Sequence, residues 1–218
     1  MCVGKNYLEH VGEVDSTMPG ISKAKVPEWP IIFTKAPSAV AGPGEAVGFP
    51  EGLSEQVDYE GEVAVIIGRG GRSIPRERAM DHVWGYSVMN DVTARDVQKR
   101  HQQWFLGKSI DGFAPLGPIL VPKERAPGKL HLTTHVNGEL RQECRDCLNT
   151  LIFDVPCLIE IISRSLTLEP GDVIATGTPK GVGAGFSPPR FLRVGDTVSV
   201  TVDGIGTLEN TFVAPSRL

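Results

Sequence analysis

The chain has 218 residues, 40% hydrophobic and 22% charged, with 26 acidic residues against 22 Lys and Arg, a balance that excludes disorder and offers no basic surface to a nucleic acid. No run reaches the ~18 apolar residues of a membrane span, and Met1 to Tyr7 lacks the basic and apolar blocks of a signal peptide. A soluble protein of the cytoplasm is expected, or of an organelle if the chain is a processed form. Glycine (25) and proline (17) fill nearly a fifth of the sequence, which excludes a helical bundle and predicts many turns between short strands.

Along the chain, residues 7–13 have short helical character and lead into a polar stretch with Gly and Pro, so 7–29 reads as a mobile lid. Residues 30–44 read as strand, loop, strand. The run 63–67 is β-branched and bounded by Gly68, the composition of a buried strand, yet its entry, Asp58-Tyr59-Glu60-Gly61-Glu62, is polar. A short helix is predicted over 73–80, where Pro75 suits a first turn. A strand over 83–89 ends at Asn90-Asp91, and 92–103 reads as helix or irregular. Asn137-Gly138 between 130–136 and 139–142 marks a hairpin with a primed turn. Val155, Leu158, Ile159, Ile162 and Leu166 recur at helical spacing after the N-cap candidate Asp154. A strand over 173–176, a Gly-rich loop and two alternating strands, 197–202 and 207–213, complete the pattern. With no repeat or linker, 1–218 reads as a single domain, mainly β with short helices (α+β).

Glu60 and Glu62, at i and i+2 on a strand, project from one face. Beside a buried apolar run two such carboxylates need neutralising, and with Asp91 they form an oxygen set for Mg²⁺ or Mn²⁺, with Ca²⁺ as a further option; zinc would want His or Cys. The alternative is a solvated strand face. His10 and Glu13 share a helix face, so Glu13 can orient the imidazole as a general base; the alternative is a surface pair. Lys108 can stabilise developing negative charge or bind a carboxylate. Gly177 and Thr178 offer a backbone N–H and a hydroxyl to a carboxylate oxygen. His101 falls between Asp91 and Lys108 in sequence. Cys144-Arg145-Asp146-Cys147 has redox or half-zinc spacing, but no second Cys pair accompanies it.

These motifs, Gly4-Lys5-Asn6-Tyr7 with His10, Asp58-Tyr59-Glu60-Gly61-Glu62, Asn90-Asp91-Val92-Thr93-Ala94-Arg95-Asp96, Gly107-Lys108-Ser109 and Thr176-Gly177-Thr178-Pro179-Lys180-Gly181-Val182-Gly183, resemble the fumarylacetoacetate hydrolase family in order and over nearly the whole chain. The likeness is to its acylpyruvate hydrolase and oxaloacetate decarboxylase branch. It implies a mixed β-sandwich roll, usually a homodimer, with the metal on Glu60, Glu62 and Asp91. It also implies substrate contacts at Arg95, Gln98, Lys108 and Thr178 and a lid dyad of His10 and Glu13. The stretch 99–104 departs from the acylpyruvate hydrolases.

The expected activity is hydrolysis of a carbon–carbon bond in a 2,4-dioxo acid such as an acylpyruvate, with His10 activating water. The alternatives are decarboxylation of oxaloacetate or keto–enol isomerisation of a 2-oxo acid at the same site, and, in another class, a non-catalytic metal-binding β module. The expected partner is a small 2-oxo or 2,4-dioxo acid, with no nucleic acid and no membrane.

Overall fold

The computed structural model describes residues 1–17 and 26–214. Its first strands are β1 (Cys2–Gly4), β2 (Ile31–Phe33), β3 (Val40–Ala41), β4 (Val47–Gly48), β5 (Val57–Asp58), β6 (Gly61–Ile67) and β7 (Val83–Asn90). These are followed by β8 (Thr93–Ala94), β9 (Ala114–Pro122), β10 (Leu132–Val136), β11 (Glu139–Cys144), β12 (Val173–Ala175), β13 (Thr197–Val202) and β14 (Gly206–Val213). The helices are α1 (Leu8–Thr17), α2 (Arg95–Arg100), α3 (Phe105–Lys108) and α4 (Val155–Ser165).

A seven-stranded mixed sheet, in the order β2-β1-β12-β6-β7-β9-β3, faces a five-stranded sheet, β11-β10-β13-β14-β4. Apolar side chains between them make the core. Every residue of β6 is buried, as its unbroken β-branched run requires, whereas β13 alternates, burying Val198, Val200 and Val202. The hairpin forms as expected, with Asn137 and Gly138 at φ 51° and 79°. Helix α4 starts where Asp154 Oδ1 accepts the Cys157 N–H at 2.8 Å and buries Val155, Leu158, Ile159 and Ile162. The architecture is the expected one, β sheets with short helices.

Two local expectations change, and one strand has no sequence signal. The helix predicted over 73–80 is a 3-10 helix, Arg76–His82, entered after Pro75 in extended conformation. Residues 92–103 divide into β8 and α2. Strand β9 carries no alternating signal because Pro115, Gly117, Pro118 and Pro122 punctuate it, yet it pairs with β7 along its length and with β3 at its start. Of the lid expected over 7–29, residues 18–25 lie outside the described residues.

Candidate active site

Strand register builds the site. In the antiparallel β6–β7 pair, Gly61 faces Asn90 and Glu62 faces Met89; in the β12–β6 pair, Ala175 faces Ala64. The start of β6, the end of β7 and the end of β12 therefore meet at one edge of the sheet. Asp91 N–H donates to the Glu60 carbonyl at 2.8 Å, and Asn90 Oδ1 accepts the Glu60 N–H at 3.0 Å. Beyond β12, Thr176 N–H reaches the Val63 carbonyl (3.1 Å) and Thr178 Oγ1 donates to the Gly61 carbonyl (3.0 Å). Glu60, Glu62 and Asp91 come together with one oxygen each within 4.8 Å of the others. At 6%, 1% and 1% exposure they are no solvated strand face.

Cations reach the cluster from the next segment. Arg95 and Gln98, three apart on α2, share its inner face, and α3 packs so closely on α2 that a Cβ on Gly107 would lie 2.6 Å from the Gln98 nitrogen. Only glycine permits that approach, and it delivers the next residue, Lys108, to the carboxylates. Far from an ordinary surface lysine, Lys108 is buried, and Nζ lies 2.8 Å from both Glu60 Oε2 and Asp91 Oδ2. Arg95 Nη1 pairs with Glu60 Oε1 at 2.7 Å and Nε with Asp58 Oδ2 at 2.9 Å. Its Nη2 approaches the same Asp58 oxygen at 2.8 Å without alignment for a hydrogen bond, so among the described residues a buried donor stays unsatisfied.

Around this edge four buried carboxylates (Asp58, Glu60, Glu62, Asp91) meet three cations with buried side chains (Lys35, Arg95, Lys108). Burial alone would raise the Glu60 carboxyl, but Lys108 and Arg95 outweigh it and hold it at about 2. Glu62 has the opposite fate: burial, then the charges of Asp91 and Glu60, push its pKa well above the usual carboxylate range. Among the described residues it forms no ion pair, and it accepts the Gly177 N–H at 2.8 Å. A carboxylate left over from the local charge balance, facing two others with no His or Cys among them, is the donor set of a hard divalent cation. The residues thus fit Mg²⁺ or Mn²⁺.

From the other side, α1 brings His10, whose Nδ1 lies 3.4 Å from Glu13 Oε2. Glu13 is itself held by the Gly181 N–H, at 2.9 and 3.1 Å to its two oxygens. Glu13 thereby fastens the helix to the Gly-rich loop and fixes the imidazole face. His10, Glu60, Arg95, Gln98, Lys108 and Thr178 line one narrow cavity of about 30 Å³, whose wall also includes Gly4, Lys5 and Trp104. Gly177 does not line it: its N–H, expected to meet a substrate oxygen, is committed to Glu62. His101 is exposed at the end of α2 and contributes nothing to the cavity.

Sequence reasoning missed three supports. Lys35 Nζ pairs with Asp91 Oδ1 and donates to the Val92 carbonyl at 3.0 Å, although burial lowers its pKa. Asp58 accepts the N–H groups of Gly183 (2.6 Å), Ala184 (3.0 Å) and Tyr59 (3.0 Å) besides Arg95. Gln142 accepts the Gly61 N–H at 3.0 Å and donates to Thr178 Oγ1 at 2.8 Å. Asp58 was readable as part of the polar strand entry; Lys35 and Gln142 arrive from 56 and 81 residues away and carry no local mark.

Residues 1–213 match the family described as Fumarylacetoacetate (FAA) hydrolase C-terminal. The chain is 51% identical over 212 residues to Oxaloacetate tautomerase YisK of Bacillus subtilis, covering 96% of this chain and 68% of that protein. Among solved structures it resembles a fumarylacetoacetate hydrolase from the psychrophile Exiguobacterium antarcticum (TM-score 0.85, 48% identity, 98% of this chain and 74% of that one). It also resembles a fumarylpyruvate hydrolase from Pseudomonas aeruginosa in complex with Mn²⁺ and pyruvate (TM-score 0.81, 33% identity, 98% and 88%). Agreement over nearly the whole length, with a carboxylate cluster built by its own strand register, places this chain in the fumarylacetoacetate hydrolase family.

Proposed function

We propose that the protein catalyses the keto–enol tautomerisation of a small 2-oxo acid, with oxaloacetate as the first substrate to test. Family membership makes it a metal-dependent enzyme for small oxo acids; the reaction is the proposed part. The observation that carries it is one narrow cavity lined by Glu60 of the carboxylate cluster, Lys108 and His10, whose imidazole Glu13 holds. The 51% identity to an oxaloacetate tautomerase supports this reaction over hydrolysis.

Glu60, Glu62 and Asp91 would hold Mg²⁺ or Mn²⁺, which when bound supplies Lewis acidity that makes protons beside a 2-oxo group easier to remove. Arg95, with its unsatisfied N–H, and Gln98 bind the carboxylate of the acid. His10 takes the proton from C3 through Nε2, the nitrogen that Glu13 leaves free. Lys108 steadies the 2-oxygen as it gains charge, and a proton returns to that oxygen, so the net change is one proton moved from carbon to oxygen. Thr178 is held by Gln142 on the cavity wall and orients the acid.

A second reading is hydrolysis of a 2,4-dioxo acid, with His10 drawing its proton from water; the likeness to a fumarylpyruvate hydrolase favours it. Decarboxylation of oxaloacetate uses the same residues without that water. The enol absorbance of oxaloacetate, followed with Mg²⁺ or Mn²⁺, separates these reactions when product analysis is run beside it. Tautomerisation relaxes the enol signal faster without consuming the acid. Acetate and pyruvate from acetylpyruvate, formed faster than the enol relaxes, would replace it by hydrolysis, and carbon dioxide release at that rate by decarboxylation.

A further inference from the structure

Away from the cavity, β11 ends at Cys144, and the chain turns through Arg145 and Asp146 into a 3-10 turn that begins with Cys147. Both thiols are free. The Cys147 thiol folds back across this turn, donating to the Cys144 carbonyl at 3.4 Å, while Cys144 Sγ lies 3.5 Å from Thr150 Oγ1. The two sulfurs differ in access. Cys147 is buried, whereas Cys144 is half-buried on the wall of a cavity of about 470 Å³ shared with Tyr7, Leu8, Glu9 and Lys180. The charged groups lining it pair among themselves: Lys180 with Glu9 at 3.1 Å and Arg145 with Glu143 at 3.3 Å. A cavity of this size and balanced charge accepts a small polar molecule beside an accessible sulfur.

We propose that Cys144 and Cys147 form a thiol–disulfide exchange site for low-molecular-weight disulfides, and that its redox state is passed to the helix carrying His10 and Glu13. Cys144, as thiolate, attacks one sulfur of a disulfide RSSR, forming Cys144–S–S–R and releasing RS⁻. Cys147 then gives up its thiol proton to solvent and attacks Cys144 Sγ, forming the Cys144–Cys147 bond and releasing the second RS⁻. The protein pair loses two electrons and the small disulfide gains them, ending as two thiols.

The division of labour has an electrostatic basis. The neighbouring Cys147 thiol lowers the Cys144 thiol against its partial burial, with help from Thr150, to about 6; the same thiol pairing and burial push Cys147 up. The half-buried sulfur is thus the nucleophile, and the fully buried one reacts only when the bond is within reach. Tyr7 is the link to the active site. Its hydroxyl donates to the Cys147 carbonyl at 3.0 Å, and its own carbonyl accepts the Val11 N–H of α1 at 3.0 Å. Drawing Cys147 toward Cys144 to close a disulfide moves the carbonyl that holds Tyr7.

The test is to treat the reduced full-length chain with glutathione disulfide at pH 7, block remaining thiols and map the peptides by mass spectrometry. A Cys144–Cys147 link is expected in the native chain, with Cys144 reacting at least about ten-fold faster than Cys157, whose thiol is raised by burial. Cys147→Ser should trap glutathione on Cys144, and Cys144→Ser should leave Cys147 unmodified, with thermal unfolding confirming that both variants fold. Glutathione on Cys157 in preference, or a native Cys144 adduct that Cys147 never resolves, would overturn the site. Amide exchange over 7–13 should quicken in the oxidised form; identical exchange in both forms would overturn its coupling to the helix.

Discussion

Replacing Glu62 by glutamine separates the cost of the carboxylate cluster from its use. In the metal-free protein Glu62 is 1% exposed, and burial followed by the charges of Asp91 and Glu60 raises its pKa well above 4.5. The folded chain therefore keeps a proton that the unfolded chain releases. That contribution to stability is complete below about pH 4.5 and is lost as pH rises through the folded value. Glutamine has the shape of the protonated acid and still accepts the Gly177 N–H, so metal-free Glu62→Gln should stay within about 1 kcal/mol of the parent near pH 5 and become the more stable of the two as pH rises. It should also lack the parent's decline in stability toward higher pH. The metal response behaves differently. A cation at about 100 times its Kd stabilises the native state by about 2.7 kcal/mol, and a chain of this size gains about 2–4 °C per kcal/mol. Mg²⁺ or Mn²⁺ should thus raise the parent's Tm by about 5–11 °C and the variant's by less than about 2 °C. Calorimetry from pH 5 to 8, with and without metal, measures both. A metal-free loss of about 3 kcal/mol or more would mean that Glu62 is ionised and paired in the fold; an undiminished metal shift would remove it from the ligand set.

His10→Ala should lower turnover by about 10²- to 10⁴-fold while the metal-induced Tm shift persists, because His10 moves a proton and holds no cation; a lost shift would place it among the ligands. Asp58→Ala removes the acceptor of Arg95 Nε and of three backbone N–H groups, leaving Arg95 with Glu60 alone, so a loss of about 3–5 kcal/mol is expected, and an unchanged denaturation midpoint would contradict the network described. In Gly61→Ala the new methyl collides with Thr134 Oγ1, which has no hydrogen-bond partner among the described residues, and lies 3.0 Å from Val200 Cγ1. Overpacking there should cost about 1–3 kcal/mol, partly recovered in the double variant with Thr134→Ala. If the double variant is no more stable than Gly61→Ala, the close approach of the two sheets is not the cause.

Local chemistry was enough for several parts of this protein. Asn137-Gly138 dictates a primed turn, Asp154 and the spacing of Val155, Leu158, Ile159 and Ile162 dictate α4, and the β-branched run after Glu62 dictates a buried strand. Two carboxylates at i and i+2 at the entry of that strand offered two readings, a neutralised cluster or a solvated strand face, because their spacing puts both on one face. Burial, and hence the electrostatics, was decided only by tertiary structure. Lys35 and Gln142 reach the cluster across strands from distant segments. Lys108 becomes a buried ion-pair partner only because Gly107 lets α3 lie against α2. Strand β9 is held by pairing with β7 and β3 despite its prolines. Sequence periodicity records what each residue does for its own strand or helix; the register between strands determines which distant residues share an edge, and here that edge is where the carboxylates, the cations and His10 meet.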